Sequence, residues 1–300
     1  MSKLGSFGKK TFRRSEVVAM AYFLYAGVVA VVRPVNWEIT FNVLWLNLTV
    51  VGSFCLLAYA DSFRRRRLLG SLRDWLPLPL LLLAYREMGW FALPHSGTEL
   101  EQSWIVWDRM VLDDWGGRAL IESAGAVLPS VLEISYALVY AVVPGGLGTL
   151  YLTGHRKVED VDRFLFTVLL ATFGAYALFP YFPSEPPRAV FPGQDLPGVI
   201  TIFRKFNLGY LGRYGIHTSV FPSAHVSTAF AVAFGIRLLV RERPWVGRLF
   251  LMLAILIATA TVYGRYHYLV DALAGLGLAI AARAALQAVL ERDPLPVQPK

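Results

Sequence analysis

The chain has 300 residues, 56% of them hydrophobic and only 17% charged, with a mean hydropathy of +0.50. Soluble domains carry ~25% charged and ~45–50% apolar residues, so a water-soluble globular protein is excluded. The formal net charge of +8 does not mark a nucleic-acid binder, because the basic residues sit in short clusters between apolar runs, the pattern that sets membrane topology.

A helix needs ~20 apolar residues to cross the hydrocarbon core, within a range of ~17–25. Eight segments come close: 17–32, 39–60, 76–94, 127–152, 161–182, 224–240, 249–266 and 268–290. The first follows Lys3, Lys9, Lys10, Arg13 and Arg14 and ends at Arg33-Pro34 without a small-residue cleavage site, so it reads as a retained helix. Arg64-Arg65-Arg66-Arg67 follows the second span; Arg237, Arg241, Arg243 and Arg248 follow the sixth, against the single Glu242. These basic sites alternate correctly if both termini are cytoplasmic. Cys55, the sole cysteine, lies inside an apolar run, and one thiol builds no disulfide framework, zinc site or redox pair.

The opposite side receives 95–122, where Glu99, Glu101, Asp108, Asp113, Asp114 and Glu122 outnumber two arginines. Within 99–118, Trp104, Trp107, Val111 and Trp115 recur at helical spacing with the acids mostly elsewhere. This predicts an amphipathic helix at headgroup level. Arg86 in the third span and Glu133 in the fourth are expected to form an ion pair, because an isolated charge in lipid is costly. Gly145-Gly146-Leu147-Gly148 is no nucleotide loop, since no strand precedes it. The stretch 183–220, rich in Pro and Gly, reads as a long irregular loop of functional type. Its Arg204, Lys205, Arg213 and His217 read as solvated or headgroup-contacting residues outside the catalytic set. The fold class is therefore all-α, a polytopic membrane helix bundle.

Polar residues gather at three span junctions, all on the outer side: 182–188, 221–225 and 264–271. Pro222-Ser223 before a helical run marks a helix start capped by Ser223. The free amides that follow, at Ala224 and His225, form an anion site. His267 and Asp271, four apart, share one face if helical, so the carboxylate would hold one imidazole nitrogen and leave the other as nucleophile or base. Arg188 offers a planar fork for phosphate oxygens. Two histidines, a helix N-terminus and arginines suit phosphoryl transfer through a phosphohistidine, one imidazole attacking and the other protonating the departing oxygen. Such a pair predicts a bell-shaped pH profile with its limbs between pH ~5 and ~8.

Pro222-Ser223-Ala224-His225 resembles the Pro-Ser-Gly-His element of the type 2 phosphatidic acid phosphatase/vanadium haloperoxidase superfamily, and His267-x-x-x-Asp271 resembles its final element. Arg188 falls where the first element supplies a phosphate-binding arginine. The last six spans, over 76–290, match the six-helix core; residues 1–75, with a basic tail and two spans, look like an addition, and 291–300 form a cytoplasmic tail. The pattern departs at Tyr181 and Ala189, where a lysine and a proline are usual, and at Thr261, where an arginine is usual; Arg265 lies only two before His267. The Pro-Pro-Arg and His-Tyr-x-x-Asp form resembles the branch of inositol phosphorylceramide and sphingomyelin synthases, which move a phospho-headgroup between lipids.

The resemblance implies His267 as nucleophile, Asp271 as its orienting partner, His225 as general acid, Arg188 and Arg265 as phosphate ligands, and no metal or organic cofactor. It implies a phospholipid or isoprenoid-phosphate substrate among membrane lipids, no nucleic-acid partner, and a cell-membrane enzyme with its site on the extracytoplasmic side. A lipid transporter or scramblase is the competing class. It is disfavoured because no internal repeat is visible and the polar residues sit at the interface.

Overall fold

The computed structural model describes residues 12–33, 35–64, 67–91, 97–216 and 220–294. Lys3, Lys9, Lys10, Arg65, Arg66 and His217 therefore lie outside the described residues. Each apolar segment is occupied largely by helix. The first two spans are α1 (Arg14–Val32) and α2 (Trp37–Arg64). A short α3 (Arg67–Trp75) leads into α4 (Pro77–Phe91), which starts on a proline at a position where its missing N–H costs nothing. The outer segment forms α5 (Glu99–Arg109), one wider π turn over Met110–Asp114, and α6 (Gly117–Glu122). Among the described residues there is no strand, and the bundle is all-α.

The segment 127–152, expected as one span, is two helices, α7 (Val127–Ala137) and α8 (Val139–Thr153), bent by 66°. Ser135 Oγ bonds back to Val131 just before the break, and Pro144 lies inside α8; both weaken a straight ladder. The remaining elements are α9 (Val158–Leu178), the four-residue α10 (Pro187–Val190), α11 (Ile202–Tyr214), α12 (Ala224–Leu239), α13 (Pro244–Tyr263) and α14 (Leu269–Arg292). Among the described residues, five continuous helices, α1, α2, α9, α13 and α14, are long and apolar enough to cross a membrane, and the bent pair makes a sixth if it is one span. Two other expected spans are shorter: α4 has 15 residues, about 22 Å of helix against a ~30 Å core, and α12 has 16.

α12 is the axis of the bundle. It is apolar all round and nearly all buried, as a helix surrounded by others must be. α8, α9, α13 and α14 pack on it, while α1 joins α9 to α2. Close approach needs small residues. A Cβ on Gly146 would meet Phe164 and Val232 at 2.6 and 2.9 Å, so this glycine of α8 is a packing position. On α14, a Cβ at Gly275 would lie 2.4 Å from the Ser223 carbonyl oxygen, a backbone atom that cannot rotate away. Gly275→Ala is expected to push α14 off the start of α12 and destabilise the protein by ~1–3 kcal/mol; a thermal unfolding midpoint equal to wild type would contradict this packing.

At the end of the bundle where α1 and α9 begin, ionic groups are buried but paired, as burial requires. Arg73 binds Glu16 and Asp61, Arg13 binds Asp74, and Asp162 accepts from the Arg14 and Ser15 amides. The three motif segments meet at the other end, where α9 finishes and α12 and α14 begin.

Candidate active site

Three local structures bring the site together. At the start of α12, Ser223 caps the helix: its Oγ accepts from the Val226 amide at 3.4 Å, as its sequence position implies. The Ser223 amide donates to the Asp271 carbonyl at 3.0 Å, tying α12 to α14. The next amides, at Ala224 and His225, belong to the first turn, which has no carbonyl partners within its own helix. Between α13 and α14 the chain folds tightly, with the amides of Tyr266 and His267 both donating to the Thr261 carbonyl. Arg265 takes the left-handed conformation there (φ 61°).

His267 and Asp271 meet differently from the expected helical face. His267 precedes α14, and Asp271 lies in its first turn, where Oδ2 accepts the Tyr268 amide at 2.8 Å as a cap. The same Oδ2 lies 3.3 Å from His267 Nδ1. Nδ1 is thus the ring nitrogen turned to the carboxylate. Burial, and then the nearby Arg188 charge, pushes the His267 imidazole down to about 3, against an opposing backbone hydrogen bond at Val220. His267 is therefore neutral near pH 7.

The His225 and His267 ring centroids are 5.5 Å apart. Tyr136 of α7 stacks on His225 (5.3 Å, 9° between planes) and on Tyr266 (4.0 Å, 16°), so one aromatic ring sets the orientation of two motifs. Arg188, on α10, is half-buried; its amide donates to the Arg265 carbonyl and its Nη1 to the Tyr266 carbonyl, with the guanidinium 5.3 Å from the Tyr266 ring centroid.

Arg188, His225, His267 and Ala224 line a cavity of about 470 Å³. Its remaining walls are mainly apolar and aromatic: Leu78, Leu82 and Tyr85 from α4, Val139 and Val143 from α8, Tyr176 from α9. On α4 the lining residues Leu78 to Tyr85 span about 10 Å of helix at 1.5 Å per residue. The cavity thus combines a cationic side chain and two imidazoles with a largely apolar lining, which suits an amphiphile with an anionic head.

His225, His267, Asp271, Arg188, Ser223 and Ala224 are thus assembled at one place. Arg265 is not among the cavity-lining residues. It is 1% exposed, and its Nη1 lies 2.6 Å from Asp108 Oδ2, an internal ion pair that the sequence did not suggest. Nor does Arg86 bind Glu133. Arg86 is exposed, 6.0 Å from the Tyr214 ring centroid. Glu133 instead accepts from Arg204 Nη1 (3.0 Å), Asn207 Nδ2 (2.7 Å) and Tyr266 Oη (2.6 Å).

Arg204 is thereby buried in a helix, α11, inside the stretch expected to be irregular; Lys205 and Arg213 of the same helix are exposed. The two available signals were Arg204 and Asn207 at helical spacing, and an acid inside an apolar run, which requires a partner. The acids of α5 depart from the expected amphipathic pattern. Glu101, Ile105 and Asp108 are buried, while Trp107 and the more distant Trp115 are exposed.

A family model described as PAP2 superfamily matches residues 104–285, more than half of the chain. A PA-phosphatase related-family protein of Dictyostelium discoideum is 32% identical over 128 residues, 41% of this chain and 22% of that protein. The chain therefore aligns with only about a fifth of that relative's length. No solved structure matches it.

Proposed function

The chain belongs to the PAP2 superfamily, and on that premise we propose that it is a lipid-phosphate phosphatase or phosphotransferase working through a phosphohistidine. The observation that carries this reading is the pair of imidazoles, with ring centroids 5.5 Å apart, that lines an otherwise largely apolar cavity together with Arg188. The substrate's hydrocarbon chain lies against the apolar lining, and its phosphate lies against Arg188 and the first amides of α12.

His267, neutral and oriented by Asp271, attacks phosphorus through Nε2. A P–N bond forms as the P–O bond to the lipid breaks, and His225 protonates the departing oxygen. In the second half-reaction His225 takes a proton from the incoming hydroxyl, whose oxygen displaces His267 from phosphorus. Water as acceptor gives hydrolysis; a lipid or polyol hydroxyl gives transfer. The Pro186-Pro187-Arg188 and His267-Tyr268-x-x-Asp271 form favours transfer of the inositol phosphorylceramide or sphingomyelin synthase type as the second reading. Residues 76–290 form the catalytic unit and 1–75 an addition to it. The arginine clusters support a topology with both termini in the cytoplasm and the site at the outer leaflet, and the membrane of this proposal is the cell membrane.

Purified protein in detergent, given a panel of lipid phosphates, tests this directly when inorganic phosphate and lipid products are followed together. Phosphate release establishes the hydrolase. No phosphate, but a new phospholipid once a diacylglycerol, ceramide or inositol acceptor is added, establishes the transferase. Neither product from any substrate would overturn the proposal.

The depressed His267 also sets a pH expectation. A lowered histidine stays neutral as the pH falls past 6.5, so its nucleophilic form is lost only towards its own value of about 3. The acid limb of kcat/KM is expected below pH ~5, outside the range that ordinary histidines give. With a phosphodiester substrate, which has no second phosphate ionisation of its own, an acid limb near 6.5 would contradict a buried, neutral His267.

A further inference from the structure

We infer that α5 fixes the relative placement of the three motif segments and that Asp108 is a positioning residue for Arg188 and His267. This rests on the assignment of those two residues to the phosphate site. The inward face of α5 presents Glu101, Trp104 and Asp108 at spacings of three and four, one above another on a single stripe. Each touches a motif segment. Glu101 Oε1 accepts the Glu185 amide at 3.0 Å, three residues before Arg188. Trp104 stacks on Phe221, beside Pro222-Ser223, at 5.2 Å, and packs edge-on against Tyr268 at 5.7 Å. Asp108 uses both oxygens: Oδ1 accepts the Leu269 amide at 2.7 Å and Oδ2 binds Arg265 Nη1 at 2.6 Å.

Asp108 thus grips the chain on both sides of His267, two residues before and two after. Through Arg265 it also holds Arg188, because the Arg265 carbonyl accepts the Arg188 amide. Arg265, left-handed and with its side chain on Asp108, acts as the link between α5 and the phosphate site. A rigid element that sets several reacting groups at once is what phosphoryl transfer requires, since a ~1 Å misplacement costs ~10²-fold in rate.

The test compares wild type with Asp108→Asn, which keeps an acceptor for the Leu269 amide but loses the charge, and with the double variant Asp108→Asn/Arg265→Gln, which leaves no unpaired buried charge. The inhibition constant of inorganic phosphate is the main readout, because it does not depend on the fraction of protein that is folded; thermal unfolding is followed alongside. In both variants the inhibition constant is expected to rise at least ~10-fold and kcat/KM to fall ~10²-fold. A wild-type inhibition constant in either folded variant would overturn the positioning role while leaving the functional proposal intact. Wild-type protein that neither turns over a lipid phosphate nor responds to inorganic phosphate would overturn both.

Discussion

His267→Ala is expected to lower turnover by at least ~10³-fold while the protein remains folded. The magnitude follows from removing a covalent nucleophile, after which only binding and electrostatic stabilisation remain. Folding should survive, because Asp271 still caps α14 through the Tyr268 amide and Ser223 still donates to the Asp271 carbonyl. Substrate affinity should change little, since Arg188 and the α12 amides are untouched. Steady-state kinetics beside a thermal unfolding curve checks both halves. Turnover near wild type in a folded variant would remove His267 from the chemistry.

Glu133→Ala is expected to have the largest effect on stability. The Glu133 carboxylate, 2% exposed, accepts from Arg204, Asn207 and Tyr266 at once, joining α7, α11 and the loop before His267. Removing it leaves the Arg204 guanidinium buried with, among the described residues, only the Gly264 carbonyl as a hydrogen-bond partner. Breaking a buried pair from one side typically costs ~3–5 kcal/mol. Activity should fall as well, because Tyr266 bears the carbonyl that accepts from Arg188 and stacks on Tyr136, which in turn stacks on His225. Glu133→Gln, which keeps an acceptor for Tyr266, should lose less. Unfolding titration of the three proteins in detergent measures the order; equal stability in all three would contradict the hub.

Much of this was legible because lipid imposes simple rules. Long apolar runs had to be helices, and polar residues collected at their ends had to have a reason to be there. That logic located His225, His267, Asp271 and Arg188 before any contact was known, and the Pro222-Ser223 start of α12 followed from local capping chemistry. Partners far apart in sequence were not legible. Glu133 demanded a cation, but nothing local distinguished Arg86 from Arg204, which reaches it across 71 residues.

Helix α11 was hidden by the Pro and Gly residues around it, although Thr201 supplies an N-cap by accepting the Arg204 amide. The burial of the α5 acids was hidden for a physical reason. Tryptophans ordinarily mark the lipid side and acids the water side, whereas here Glu101 and Asp108 turn inward to bind amides and Arg265. Arg265 itself lies near a histidine motif, and only the geometry separates an arginine that lines the cavity from one that holds its wall.

A covalent phosphoryl group on His267 is tested most directly by rapid chemical quench with a lipid phosphate radiolabelled on phosphorus. Wild-type protein should retain label after an alkaline quench and lose it on acidification, as a phosphoramidate does, with the label mapping to the peptide that contains His267. His267→Ala should retain none. Label on another residue, or turnover in wild type with no label trapped at any time point, would contradict the phosphohistidine mechanism.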